Sequence, residues 1–211
     1  MQQQVLAIKA ARVITPFEEW RPGVVLVGEG KIVAAGAAGH VTVPSHAEVL
    51  DVGQKIVAPG FIDLHIHGAM GHLANEGPES VLKIASYLPS TGTTSWLPTV
   101  GSEEGVLGVV KAMQANKNGA CIAGIHMEGP YLAPKQLPHE GHVSPPVPTV
   151  EEFQAFFAAA QGHLRLMGMA PELDNSLDVI RAMREAGVVP AVAHSKVDYD
   201  TFMRAVAAGI C

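Results

Sequence analysis

The sequence predicts an α/β fold: a (β/α)8 barrel of the TIM type, truncated after about five βα units and preceded by a small β module. After Pro59-Gly60, apolar runs of strand length alternate with helical segments, which implies a parallel sheet covered by helices. Polar residues gather at the C-terminal ends of those runs, where a closed barrel carries its chemistry. No glycine-rich phosphate turn follows the first run, as an open doubly wound sheet would show.

Residues 5 to about 57 read as short, mostly antiparallel strands. Val24–Val27 and Lys31–Ala35 flank Gly28-Glu29-Gly30, a hairpin signal with glycines where positive φ is needed. Leu50-Asp51-Val52 and Lys55-Ile56-Val57 follow, separated by Gly53. The barrel strands expected next are Phe61–Ile66, Thr94–Leu97, Ile122–Met127, Leu164–Met169 and Val188–Ala193. Helices are expected after Pro78 and after Ser102, which precedes Glu103-Glu104. Thr149-x-x-Glu152 reads as a capping box ahead of Phe153, Phe156 and Phe157. Asp174 or Asn175 caps a helix ending at Gly187, and Asp198 caps one ending at Gly209. Pro145-Pro146-Val147-Pro148 reads as a surface loop. The expected domains are residues 1–57, the β module, and 58–211, the barrel portion.

Composition narrows the function classes. Hydrophobic residues make up 48% and charged residues 16% of the chain, a balance that suits a packed core. The net charge is −6 with no basic run, so nothing would neutralise a row of phosphates and no nucleic-acid partner is expected. No signal peptide is visible, and no apolar run approaches the ~20 residues needed to span a bilayer. Cys121 and Cys211 form no framework, and a reducing cytoplasm fits them. Ten histidines in 211 residues are the oddity.

His65-Ile66-His67 closes the first barrel strand. Alternate residues of a strand share a face, so both imidazoles can point into the barrel mouth and hold Zn²⁺ or a similar ion. A bare His-x-His is also compatible with a surface pair. The apolar Ala58–Leu64 run before it tips the reading, because a strand buried on both faces has no reason to end in two polar rings unless something binds them. Glu128 closes the third strand, stopped by Gly129-Pro130, and could ligate or bridge metals; a loop carboxylate is the plainer alternative. His126 would share its face, either as a partner supporting a ligand or as a buried, satisfied histidine, and the latter reading is favoured. Thr99 lies just past the second strand and Glu172 just past the fourth. His194 directly follows the fifth and gains weight as a third strand-end ligand position. His139 and His142 read as solvated loop residues.

Pro59-Gly60-Phe61-Ile62-Asp63-Leu64-His65-Ile66-His67-Gly68 is similar to the first-strand signature of the amidohydrolase superfamily. Gly92-Thr93-Thr94 with Leu97-Pro98-Thr99, His126-Met127-Glu128-Gly129-Pro130-Tyr131, and His194-Ser195 resemble the N-acetylglucosamine-6-phosphate deacetylases within it. Ala170-Pro171-Glu172 matches that family's fourth-strand end. The resemblance covers essentially the whole chain and makes residues 1–57 part of the family's small β-sandwich. It implies that Glu128 and His194 hold the principal metal, that His65 and His67 hold a second, and that Glu128 bridges them. Gly141 and His142 match the substrate-contacting end of the loop after Glu128. The implied cofactor is one or two divalent ions per subunit, zinc first, with iron, manganese or cobalt as alternatives. The implied reaction is hydrolysis of the acetamide of N-acetylglucosamine 6-phosphate to glucosamine 6-phosphate and acetate, in a cytoplasmic homodimer. Lys196 departs from the family pattern, in which a small or acidic residue follows His-Ser.

The family's strand-six histidine, its strand-eight aspartate that shuttles the proton, and its phosphate-binding basic residues have no counterpart in this sequence. No catalytic residue is therefore assigned, and the 211 residues alone are expected to be an inactive, poorly folded fragment. Two alternatives stand beside this reading: another amidohydrolase chemistry, such as a cyclic amidase or deaminase, and a non-catalytic metal-binding half-barrel.

Overall fold

The computed structural model describes residues 4–134 and 147–211. Two compact units divide the chain, Met1–Gly60 and Phe61–Cys211. The first holds β1 (Val5–Ala10), β2 (Arg12–Ile14), β3 (Glu19–Trp20), β4 (Gly23–Gly28), β5 (Lys31–Ala37), β6 (Glu48–Asp51) and β7 (Ile56–Val57). They form a four-stranded sheet in the order β5-β4-β1-β6 and a three-stranded sheet in the order β3-β2-β7. The pairs β1–β4, β4–β5 and β2–β3 are antiparallel, while β1–β6 and β2–β7 are parallel. The unbroken apolar run of β4 has a physical cause, since both of its faces are covered. Val24 and Leu26 pack with Ala7 on one side, and Val25 packs with Ala10 and Val13 on the other. The hairpin between β4 and β5 forms, but its positive φ angles fall on Glu29 and Gly30, at 51° and 74°. Gly28 is the last residue of β4, so only one of the two flanking glycines answers a conformational need.

The second unit contains β8 (Phe61–Ile66), β9 (Gly68–Ala69), β10 (His72–Leu73), α1 (Pro78–Tyr87), β11 (Thr93–Val100), α2 (Glu103–Ala115), β12 (Cys121–Ile122) and β13 (Ile125–Glu128). It continues with α3 (Val150–Ala159), β14 (Leu164–Met169), α4 (Ser176–Glu185), β15 (Val189–Val192) and α5 (Tyr199–Ala208). Strands β8, β11, β12 with β13, β14 and β15 pair in parallel in that order. The result is a parallel half-barrel of five strand positions with its helices packed on one face. Trp96, Ile84, Val109, Met127, Phe153, Met167, Ile180 and Met183 fill the space between sheet and helices.

The third strand was expected as one piece, Ile122–Met127, and is instead broken. A β-carbon on Gly124, at φ 157°, would come within 2.9 Å of the His163 carbonyl and closer still to the Arg165 side chain. The strand bends there to let β14 pass. β9 and β10 form a small hairpin after β8, turning at Met70 (φ 55°) and Gly71 (φ 78°).

Ser102, Thr149 and Asp198 cap their helices through side-chain acceptance of a backbone N–H. The box at Thr149 closes on one side only, because the Glu152 carboxylate turns to the Tyr131 hydroxyl. β8 and β15 bound the half-barrel. β8 leaves Phe61, Ile62 and Leu64 exposed. On β15, the Cys211 N–H donates to Pro190 at 2.9 Å and the Val192 N–H donates to Cys211 at 3.4 Å. Among the described residues no helix is long and apolar enough to cross a membrane.

Candidate metal centre

Parallel strands deliver their C-terminal ends to one side of the sheet, so residues far apart in sequence meet there. His65 is the penultimate residue of β8, His67 follows that strand, Glu128 ends β13, and His194 lies two residues beyond β15. The Glu128 carboxylate sits at the centre. Its Oε2 is 3.1 Å from His67 Nε2, and its Oε1 is 3.1 Å from His194 Nε2 and 3.9 Å from His65 Nε2. The His65 and His67 rings meet edge to face with centroids 5.0 Å apart. The Glu128 side chain is 15% exposed against 46% and 50% for His65 and His67, so the carboxylate forms the floor and the imidazoles the open rim.

The arrangement fits a divalent cation. His65, His67 and Glu128 offer donor atoms that all lie within 4.8 Å of one another. Two donors on one tetrahedral zinc stand about 3.4 Å apart for bonds of about 2.1 Å, close to the spacings around Glu128. The set is imidazole and carboxylate, the ligands such ions take from proteins. His194 approaches the same carboxylate from the other side, which leaves Glu128 flanked by nitrogen donors on both oxygens.

Local structure holds each of these residues. Gly129, at φ 85°, turns the chain sharply after Glu128, and its N–H donates to the Gly168 carbonyl at 3.0 Å. Gly168 has no room for a side chain: a β-carbon there would lie 2.8 Å from that of Ala193. His194 adopts φ 44°, a left-handed conformation costing a non-glycine residue about 1–2 kcal/mol. Glu172 sustains it. Its two oxygens accept the Ser195 hydroxyl and the Lys196 N–H, both at 2.6 Å. The Ala133 N–H donates to the His194 carbonyl at 2.9 Å. Glu172 thus serves the turn around His194 and does not reach toward Glu128.

Of the other residues singled out from sequence, His126 is buried and its Nδ1 lies 2.9 Å from the Leu64 carbonyl oxygen. Burial pushes its pKa below the ordinary histidine value, partly opposed by that hydrogen bond. Thr99 is not past β11 but inside it, fully buried, accepting the Ile66 N–H at 3.0 Å. Asp63 accepts the His65 N–H, also at 3.0 Å. Neither role was anticipated. The available signal was Pro98, since a proline inside a central strand marks where a ladder must deviate. Gly141 and His142, together with His139, lie outside the described residues, as do Pro145 and Pro146.

Comparison with known proteins gives the family. Residues 56–207 match the profile described as the amidohydrolase family, and the chain belongs to that family. Within it, the N-acetylglucosamine-6-phosphate deacetylase of Bacillus subtilis (strain 168) is 29% identical over 214 residues, covering 97% of this chain and 54% of the relative. The Bos taurus protein of the same name is 33% identical over 175 residues, 77% of this chain and 42% of that one. Among solved structures, a mutant N-acetyl-D-glucosamine-6-phosphate deacetylase from Mycobacterium smegmatis, in complex with N-acetyl-D-glucosamine-6-phosphate, superposes with a TM-score of 0.82 at 28% identity. That match covers 98% of this chain and 54% of the other. The chain spans about half the length of these relatives.

Proposed function

We propose that this chain is the metal-binding half of an N-acetylglucosamine-6-phosphate deacetylase, a hydrolase that converts its substrate to glucosamine 6-phosphate and acetate. The observation that carries the reading is the convergence of His65, His67 and His194 on the Glu128 carboxylate. Glu128 and His194 would hold the principal ion, His65 and His67 a second, and Glu128 would bridge them. When bound, the ion supplies a nucleophile from water near neutral pH and a Lewis acid for the acetamide carbonyl. The chain's own residues fix the donors: Gly129 turns the backbone away beneath Glu128, and Glu172 holds the turn that aims His194. No described residue is assigned to move the proton. The half-barrel is proposed as part of a (β/α)8 barrel, the two sheets of residues 4–60 as part of its small sandwich, and Gly141 and His142 as substrate contacts. Homodimerisation and a cytoplasmic setting belong to the same proposal.

In the active enzyme containing this chain, Glu128→Gln and His194→Asn should each abolish acetate release, because each removes a ligand of the ion that activates water. His65→Asn should lose one ion and retain part of the activity. Elemental analysis of active protein that finds no metal would end the reading. The substrate assignment is tested separately. N-acetylglucosamine 6-phosphate should be turned over with a higher kcat/KM than unphosphorylated N-acetylglucosamine, and equal values would refute it. The 211 residues alone are expected to release no acetate.

A further inference from the structure

We propose that His126 and Thr99 are positioning residues that fix a bulge at the end of β8 and so set the aim of His65 and His67 at Glu128. This rests on the reading of the cluster as a metal centre. The pairing of β8 with β11 runs from Asp63 opposite Trp96 to Ile66 opposite Pro98, three steps on one strand against two on the other. One residue of β8 is therefore in excess around Leu64 and His65, and such a bulge re-aims the side chains beside it. Pro98 carries no N–H, so β11 has one ladder donor fewer at this place.

Two side chains grip the bulge. His126 lies on β13, which pairs with β11 and not with β8, so its ring reaches past an intervening strand to the Leu64 carbonyl at 2.9 Å. A carbonyl only accepts, so Nδ1 carries the proton in this bond. On the other side of His65, Thr99 Oγ1 accepts the Ile66 N–H at 3.0 Å. Thr99 and His126 are register partners across β11 and β13, so one rung holds the two side chains that bond Leu64 and Ile66, the residues on either side of His65. The His126 ring also stands edge-on to that of His65, with centroids 4.8 Å apart, which restricts its rotation. Two residues beyond His126 on the same strand is Glu128, so one short segment of β13 carries both the carboxylate and the strut that spaces the histidines from it.

The test is metal binding by the active enzyme containing this chain, stripped with a chelator and read by Zn²⁺ calorimetry and by the visible absorption of Co²⁺. His126→Ala should weaken ion binding about 10- to 100-fold, the range for removing a group that orients ligands, and should alter the Co²⁺ spectrum. His126→Asn, whose side-chain N–H stands near the place of Nδ1, should keep most of the affinity. Thr99→Val should weaken binding while Thr99→Ser preserves it; this pair decides the matter if circular dichroism shows that His126→Ala does not fold. Unchanged affinity in His126→Ala, or an asparagine variant no better than alanine, overturns this proposal alone. Active wild-type enzyme that binds neither ion removes the metal centre and this proposal with it.

Discussion

Tyr131 shows how much one hydroxyl is asked to do near the candidate site. It is fully buried three residues after Glu128, and its hydroxyl donates to Glu152 at 2.8 Å. Burial first, and the carboxylate second, push its pKa well above the ordinary value of 10.0. The folded protein therefore keeps a proton that the unfolded chain releases. That contribution is complete below pH 10 and is lost as pH rises past it. Tyr131→Phe should be about 0.5–1.5 kcal/mol less stable at pH 7, yet should lose less stability than wild type between pH 9 and 11. Thermal unfolding across that range checks the sign. At this scale the ligand candidates were legible, because His65, Glu128 and His194 each stand at or beside the end of an apolar run. The partners of their neighbours were not. Which carbonyl His126 meets depends on the bulge in β8 and on the span over β11, and no local pattern encodes either distance.

Helix starts were the most legible elements. Ser102, Thr149 and Asp198 announce themselves by residue type and sit where they cap. Asn175 differs: it takes the cap position of α4 at φ 62° and makes no side-chain cap bond. Ser102→Ala and Thr149→Ala should each cost about 1 kcal/mol, whereas Asn175→Gly should be neutral or slightly stabilising, since glycine accepts that backbone freely. Urea unfolding of the three variants distinguishes them. The strands Phe61–Ile66 and Leu164–Met169 fall where their apolar runs place them. The break between β12 and β13 was hidden because its cause, the His163 carbonyl and Arg165 side chain against Gly124, lies forty residues away in the chain. The positive φ at Glu29 was likewise invisible, since the turn's twist, and not the residue, demands it.

For the molecule as a whole, the unusual property is where its apolar surface lies. Phe61, Ile62 and Leu64 are all exposed on β8, a strand whose only ladder partner among the described residues is β11. An exposed apolar edge strand is a template for pairing with other chains. The 211-residue chain should therefore self-associate and enhance the fluorescence of a hydrophobic dye, and Ile62→Lys should reduce both without loss of helicity. Size-exclusion chromatography showing a dye-negative wild-type monomer would contradict this. The parallel half-barrel was legible because five apolar runs alternate with helices; which apolar side chains stay exposed is a property of surfaces, which periodicity does not report.

The bond from Tyr131 to Glu152 joins residues 21 apart in sequence. It fastens the exit from the Glu128 strand to the first turn of α3, whatever lies between them. A change that cuts this fastening is therefore felt at both of its ends, at the close of β13 and at the start of α3.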